Sequence, residues 1–175
     1  MHQLTLYNQI SSLKQNKIMG HCAPHKPILL LSIMDLVAHG TITDNKVTLS
    51  EQLIKQFAHN WDRHVGESII FKCAIDKPFW HLQNEPFWQL IHTDGYRITK
   101  ANSPQAIYGI AKLQRTIHHA IIDPELFEMM RLPNHRIKLE QIILSTYLTD
   151  NELPCVAEIT PLLITIGSTL LTAAS

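Results

Sequence analysis

At 175 residues, with 45% hydrophobic and 17% charged content, the chain has the size and composition of one domain with a real core, or one domain and a tail. Its formal net charge of +0, histidines neutral, excludes a global field that would draw it to nucleic acid, so any anion site must be local. No stretch reaches the ~20 apolar residues of a membrane span. Met1-His2-Gln3-Leu4 lacks the basic-then-apolar order of a signal peptide. Cysteines at 22, 73 and 155 form no CxxC pair, so reduced thiols in the cytoplasm are expected.

Leu4, Leu6, Tyr7, Ile10 and Leu13 recur near helical spacing and predict a helix over 4–16. Gly20 opens a turn, His21-Cys22-Ala23-Pro24-His25-Lys26-Pro27. Its two prolines fix their own φ and bias their predecessors towards extended geometry. Pro27 is the expected first residue of a helix to about His39, where a missing N–H costs nothing. That helix is apolar nearly all round and expected to be central, with Asp35 as its charge and Gly40 as its stop. Thr41-Ile42-Thr43 and Lys46 to Leu49 predict a short hairpin or extended turn. Ser50 caps the next helix, with Glu51 in the first turn. Leu53, Ile54, Phe57, Ala58, Trp61 and Val65 form its apolar face. Ser68 to Phe71 is a strand candidate.

Two similar pieces follow, Pro78-Phe79-Trp80-His81-Leu82 and Pro86-Phe87-Trp88-Gln89-Leu90. Proline marks a strand start or edge, so the second predicts a strand ending at Ile91 and the first a sharp bend. Asp94-Gly95 is a turn signal, with Tyr96 to Thr99 pairing back. Ser103-Pro104 predicts a capped helix through about His119. Asp123-Pro124 starts a short helix over 124–131, and Pro133-Asn134 a last one to about Leu148. Ile137, Ile142, Ile143 and Leu144 are available to the core. With no βαβ alternation, the class is α+β: a mostly helical single domain with a small antiparallel sheet.

The chemistry-bearing residues narrow the function. His25 and Lys26 stand just ahead of a helix start, where backbone amides favour an anion. His21-Cys22-x-x-His25 has no second ligand pair, so no metal and no cofactor are expected. Cys22 near His25 lacks an oxyanion hole, and Asp35, Asp62, Glu67 and Asp76 do not cluster like a nuclease metal site. No His-Asn-His pattern marks a nuclease, and no catalytic residue is assigned. Lys14, Lys17, Arg97, Lys100, Lys112 and Arg115, if they converge, form a phosphate-binding strip. Phe79, Phe87, Trp88 and Leu90 read as core, whereas Lys77, Pro78 and His81 flank the aromatics and can face a ligand.

The order Ala23-Pro24-His25-Lys26-Pro27-Ile28-Leu29-Leu30-Leu31, then Phe57 and Trp61, then Pro78-Phe79-Trp80-His81-Leu82 and Phe87-Trp88-Gln89-Leu90 resembles a known family. It is similar to the sulfur-binding domain that precedes the HNH nuclease in type IV, modification-dependent restriction endonucleases. The likeness spans roughly residues 5–148. It implies a module for double-stranded DNA whose backbone carries phosphorothioate. It places the modified phosphate at His25, Lys26, Lys77, Pro78 and His81; the basic residues Lys14, Lys17, Arg97, Lys100 and Arg115 are expected to contact the flanking DNA backbone. Sulfur is softer and less hydrated than oxygen, so an apolar lining favours it, while charge supplies affinity. Where other sulfur binders carry an aromatic residue before the bend proline and a small one three after it, this chain has Lys77 and His81.

Residues 1–150 are expected to form the recognition domain. Residues 151–175 are then an apolar tail, standing where a nuclease domain would begin. The module is expected to bind without cutting, alone, as a homodimer or with a separate nuclease. The alternatives are a degenerate HNH-type endonuclease, or an interaction module docking through the tail.

Overall fold

The computed structural model describes residues 2–95 and 108–149. Its centre is α2 (His25–Ala38), in which every residue from Lys26 to Val37 except Asp35 is buried. Each fully buried Leu or Ile there contributes roughly 1.5–3 kcal/mol relative to exposure. Around α2 pack α3 (Glu51–His64), α4 (Asp76–His81), α6 (Pro124–Arg131) and α7 (Pro133–Tyr147). α1 (His2–Ser11) lies on α6 and α7. Tyr147 fastens that contact: its hydroxyl donates to the Ile10 carbonyl at 2.8 Å and accepts from the Leu13 amide at 2.8 Å. Burial pushes this phenol up to about 12.

Two small sheets complete the α+β class. β1 (Lys17–Ile18) and β2 (His21–Cys22) form an antiparallel hairpin. Its turn residues, Met19 at φ 53° and Gly20 at φ 83°, both occupy the left-handed region that a two-residue hairpin turn requires. β5 (Ile117–Ile122) is the middle strand of the second sheet, between β3 (Lys46–Val47) and β4 (Trp88–His92), and antiparallel to both. The short helix α5 (Ile110–Thr116) leads directly into β5.

The buried side of α2 also carries a polar network. The Asp35 carboxylate accepts from Gln56 Nε2 at 2.8 Å and Asn60 Nδ2 at 2.7 Å. Asn60 Nδ2 also donates to Ser32 Oγ, at 3.2 Å. This joins α2 to α3 and leaves the single carboxylate of α2 with two donors. Ser50 caps α3 as expected, its side chain accepting from the Leu53 amide.

Several expected elements differ. α2 begins at His25, with Pro24 as N-cap, so Pro27 is its third residue; no first-turn N–H has an intrahelical acceptor, and the proline is equally harmless there. α1 ends at Ser11 rather than 16. Residues 68–71 are a loop: Ser68 Oγ accepts from the Ile70 and Phe71 amides, a local turn that competes with a strand. No hairpin forms over 41–49; Lys46–Val47 pairs instead with β5. Asp76–His81 is helical rather than bent, because a proline in the first turn permits a helix. The helix expected to reach His119 stops at Thr116, and the buried positions Ile117, Ala120 and Ile122 follow in a strand. In α7, Leu139 and Ile143 are buried while Ile137 is exposed. The expected pairing of Tyr96 to Thr99, the Ser103-Pro104 cap and the tail lie outside the described residues.

Candidate nucleic-acid interface

One cleft of about 690 Å³ opens where the start of α2, α4, the loop before α4 and the β1–β2 hairpin meet. His25, Lys26, Lys77, Pro78 and His81 all line it, as does Lys14. Sequence positions 52 residues apart are thus brought together by the α2–α4 contact. Lys17 is on β1 and Arg115 in the last turn of α5, both exposed, and neither lines the cleft. Arg97 and Lys100 lie outside the described residues.

The two residues of the α2 start behave differently from a free basic pair. Lys26 is 8% exposed, and its Nζ donates to Glu85 Oε1 at 2.5 Å. Glu85 is also buried, and the same oxygen accepts from the Lys14 amide at 3.1 Å. The carboxylate thus neutralises Lys26 and ties the segment before β1 to the floor of the cleft. His25 donates from Nε2 to the Lys72 carbonyl at 2.8 Å, which fixes that nitrogen as the protonated one. Its ring lies 4.7 Å from Trp61 and 5.8 Å from Phe71, between centroids. Burial pushes its pKa below the usual histidine value, with Lys77 adding to the effect and the Lys72 carbonyl and Asp76 opposing it. His25 is accordingly a neutral ring at pH 7.

Positive charge comes instead from lysines at the rim. Lys14, Lys72 and Lys77 are exposed and line the cleft. No side chain caps α2, so its first-turn amides leave a partial positive charge at this end of the helix. The inner surface is less polar: Ile70, Phe71, Ala74, Pro78 and Tyr108 contribute to it. His81, on the same side, shares a 2.9 Å hydrogen bond with the Tyr108 hydroxyl. Burial, then Lys26 and Lys77, lowers its pKa and keeps it neutral.

Lys72, Phe71, Glu85 and Tyr108 are among the site residues that sequence reasoning missed. Lys72 had a legible signal, a cation beside the Phe71 turn and five residues before Lys77. Tyr108 had none, because it reaches the cleft from 30 residues beyond Pro78 through tertiary contacts alone.

Among the described residues, no group of three or more His, Cys, Asp or Glu could hold a metal ion. Among the described residues, Cys73 is a free, exposed thiol. Among the same residues, no helix is long and apolar enough to cross a membrane.

Cationic groups around a weakly polar interior can accept a phosphate group bearing a soft substituent, as a DNA-backbone-binding module would require. Comparison with protein families gives the same answer: the model of the ScoMcrA-like DNA sulfur-binding domain matches residues 3–158. The chain belongs to that family, whose members recognise phosphorothioate DNA in restriction and defence. A comparison with curated proteins returned no match.

Proposed function

We propose that the cleft between α2 and α4 is where this module holds the sulfur-bearing phosphate of double-stranded DNA. The observation that carries the reading is the convergence of His25, Lys26, Lys77, Pro78 and His81 on one cleft whose rim is basic and whose interior is partly apolar. Lys14, Lys72 and Lys77 supply the sequence-independent attraction to phosphate. Pro78, Phe71 and their neighbours supply discrimination, since an apolar surface desolvates sulfur at lower cost than oxygen. Lys26 acts through Glu85 as part of the floor rather than as a phosphate contact. Lys17, Arg97, Lys100 and Arg115 belong, in this reading, to a wider track for the flanking backbone.

The module binds without cutting. Cleavage, in this reading, is the task of a nuclease in a separate domain or chain. Residues 1–150 make up the recognition unit in this reading, although the family match runs on to residue 158. Amide chemical-shift mapping with a short phosphorothioate duplex tests the placement. The expected perturbations cluster at residues 14–26, 70–81 and 108. Perturbations confined to the exposed faces of α3 or α7, with the cleft unmoved, would refute it.

A further inference from the structure

The wall of the cleft predicted to hold sulfur is uneven in its chemistry. Of Lys77, Pro78 and His81, only Pro78 offers an apolar ring; the others end in an ammonium and an imidazole. A choice of sulfur over oxygen needs a polarizable, weakly hydrated surface, and sulfur lies favourably against the edge of an aromatic ring. Tyr108 supplies such a ring in the same cleft.

Tyr108 is also held in place from both ends of α4. Its hydroxyl shares the 2.9 Å hydrogen bond with His81 Nε2, at the end of the helix. The next amide, that of Gly109, donates to Asp76 Oδ2 at 2.9 Å, at the start of the helix. Lys77 Nζ lies 5.8 Å from the centre of the Tyr108 ring, within reach of a cation–π attraction. One ammonium and one aromatic ring are therefore presented together, beside Pro78. Gly109 itself has φ 113°, a backbone conformation that a side chain would strain, and it sets the chain direction just after the tyrosine.

We propose that Tyr108, beside Pro78 and Phe71, is a residue by which this cleft prefers sulfur to oxygen, with His81 and Asp76 as positioning residues that fix its ring. The proposal rests on the reading of the cleft as the site of the modified phosphate, and it deepens that reading by adding a named aromatic side chain to the apolar surface of Pro78 and Phe71. Lys77, held near the ring, serves affinity for either phosphate, and Tyr108 serves the choice between them.

The experiment is a fluorescence-polarisation titration of two duplexes identical except for one phosphorothioate, with the wild type and variants checked for fold by circular dichroism. The ratio of the two Kd values is the readout. Tyr108→Phe keeps the ring but loses the bond to His81, and is expected to lower the preference about as much as His81→Ala and less than Tyr108→Ala. Tyr108→Ala is expected to cut the preference about 2- to 10-fold, the range of a sulfur–aromatic contact, with little change for the unmodified duplex. His81→Ala is expected to lower the preference and His81→Gln, which retains a partner for the hydroxyl, to restore it. Should Tyr108→Ala fail to fold, Tyr108→Leu preserves bulk without the ring and carries the same expectation. An unchanged ratio in the folded ring-less variant overturns the role of Tyr108 while leaving the cleft in place. Equal affinity of the wild type for both duplexes overturns the cleft reading and the Tyr108 proposal together.

Discussion

Lys26 offers a direct test of how the cleft is built, because its sequence position and its environment predict opposite behaviour. As a phosphate contact, Lys26→Met would weaken DNA binding and leave the fold intact. The structure instead buries its ammonium against Glu85, with side-chain exposures of 9% and 5%. Removing the cation leaves a buried carboxylate with the Lys14 amide as its remaining hydrogen-bond donor among the described contacts. Breaking such a pair costs about 3–5 kcal/mol. That is a large share of the roughly 5–15 kcal/mol that holds a domain folded. For a chain of this length it corresponds to a fall in Tm of roughly 6–20 °C. The double variant Lys26→Met/Glu85→Gln removes both charges and keeps an amide oxygen for the Lys14 N–H. It is expected to recover most of the loss, so a urea double-mutant cycle should show a coupling of about 3 kcal/mol or more. A single-variant cost below about 1 kcal/mol with no coupling, as exposed pairs show, would refute the buried-pair account. DNA binding sharpens the contrast: Glu85→Gln frees the ammonium inside the cleft, so affinity for duplex should rise and its salt dependence steepen.

Other expectations follow from the same geometry. Lys72→Ala and Lys77→Ala should each weaken modified and unmodified duplexes alike, and lower the slope of log K against log salt by about 1. An effect on the modified duplex alone would contradict their assignment to the phosphate charge. The histidines set a pH dependence: His25, His64, His81 and His119 all have pKa values lowered, chiefly by burial. The unfolded chain, near 6.5, therefore takes up protons first as pH falls. Their contribution is fully present above about pH 6.5 and is lost as pH falls through the depressed folded values, which urea midpoints between pH 8 and 5 would record. His25→Phe should flatten part of that loss; an unchanged profile would refute the role given to burial. Ser50→Ala, which removes the α3 cap, should cost about 1 kcal/mol in urea without altering the sulfur preference.

The parts of the fold set by local pattern were legible in the sequence. The all-round apolar run after Pro27 announced a central helix, and Ser50 and Asp123-Pro124 announced their helix starts, because capping and burial periodicity act over a few residues. What escaped was set by tertiary partners. β5 carries buried Ile117, Ala120 and Ile122 but follows a helix without a break, and only its pairing with β4 and β3 makes it a strand. The Met19-Gly20 turn was hidden because methionine seldom takes a positive φ; the pairing of β1 with β2 holds it there.

The site divides in the same way. The five residues drawn from the Pro-His-Lys-Pro run and the first Pro-Phe-Trp piece do meet in one cleft, since α2 packs on α4. Their individual chemistry was not readable, because it depends on partners remote in sequence. Glu85 neutralises Lys26, the Lys72 carbonyl fixes the His25 tautomer, and Tyr108 binds His81. Tyr108 joins Lys77 and His81 in the cleft from a distance no spacing rule covers.

The measurement that bears most directly on sulfur recognition by this cleft is the ratio of Kd values for a phosphorothioate duplex and its unmodified twin, taken at one salt concentration for the wild type and for Pro78→Ser. Substituting serine at Pro78 puts a hydroxyl where the buried ring now sits, in helix α4. The expected result is tighter binding of the modified duplex by the wild type, and a smaller ratio in Pro78→Ser with the unmodified affinity little altered. Equal affinity of the wild type for both duplexes, or a ratio that survives in the folded variant, would contradict the account.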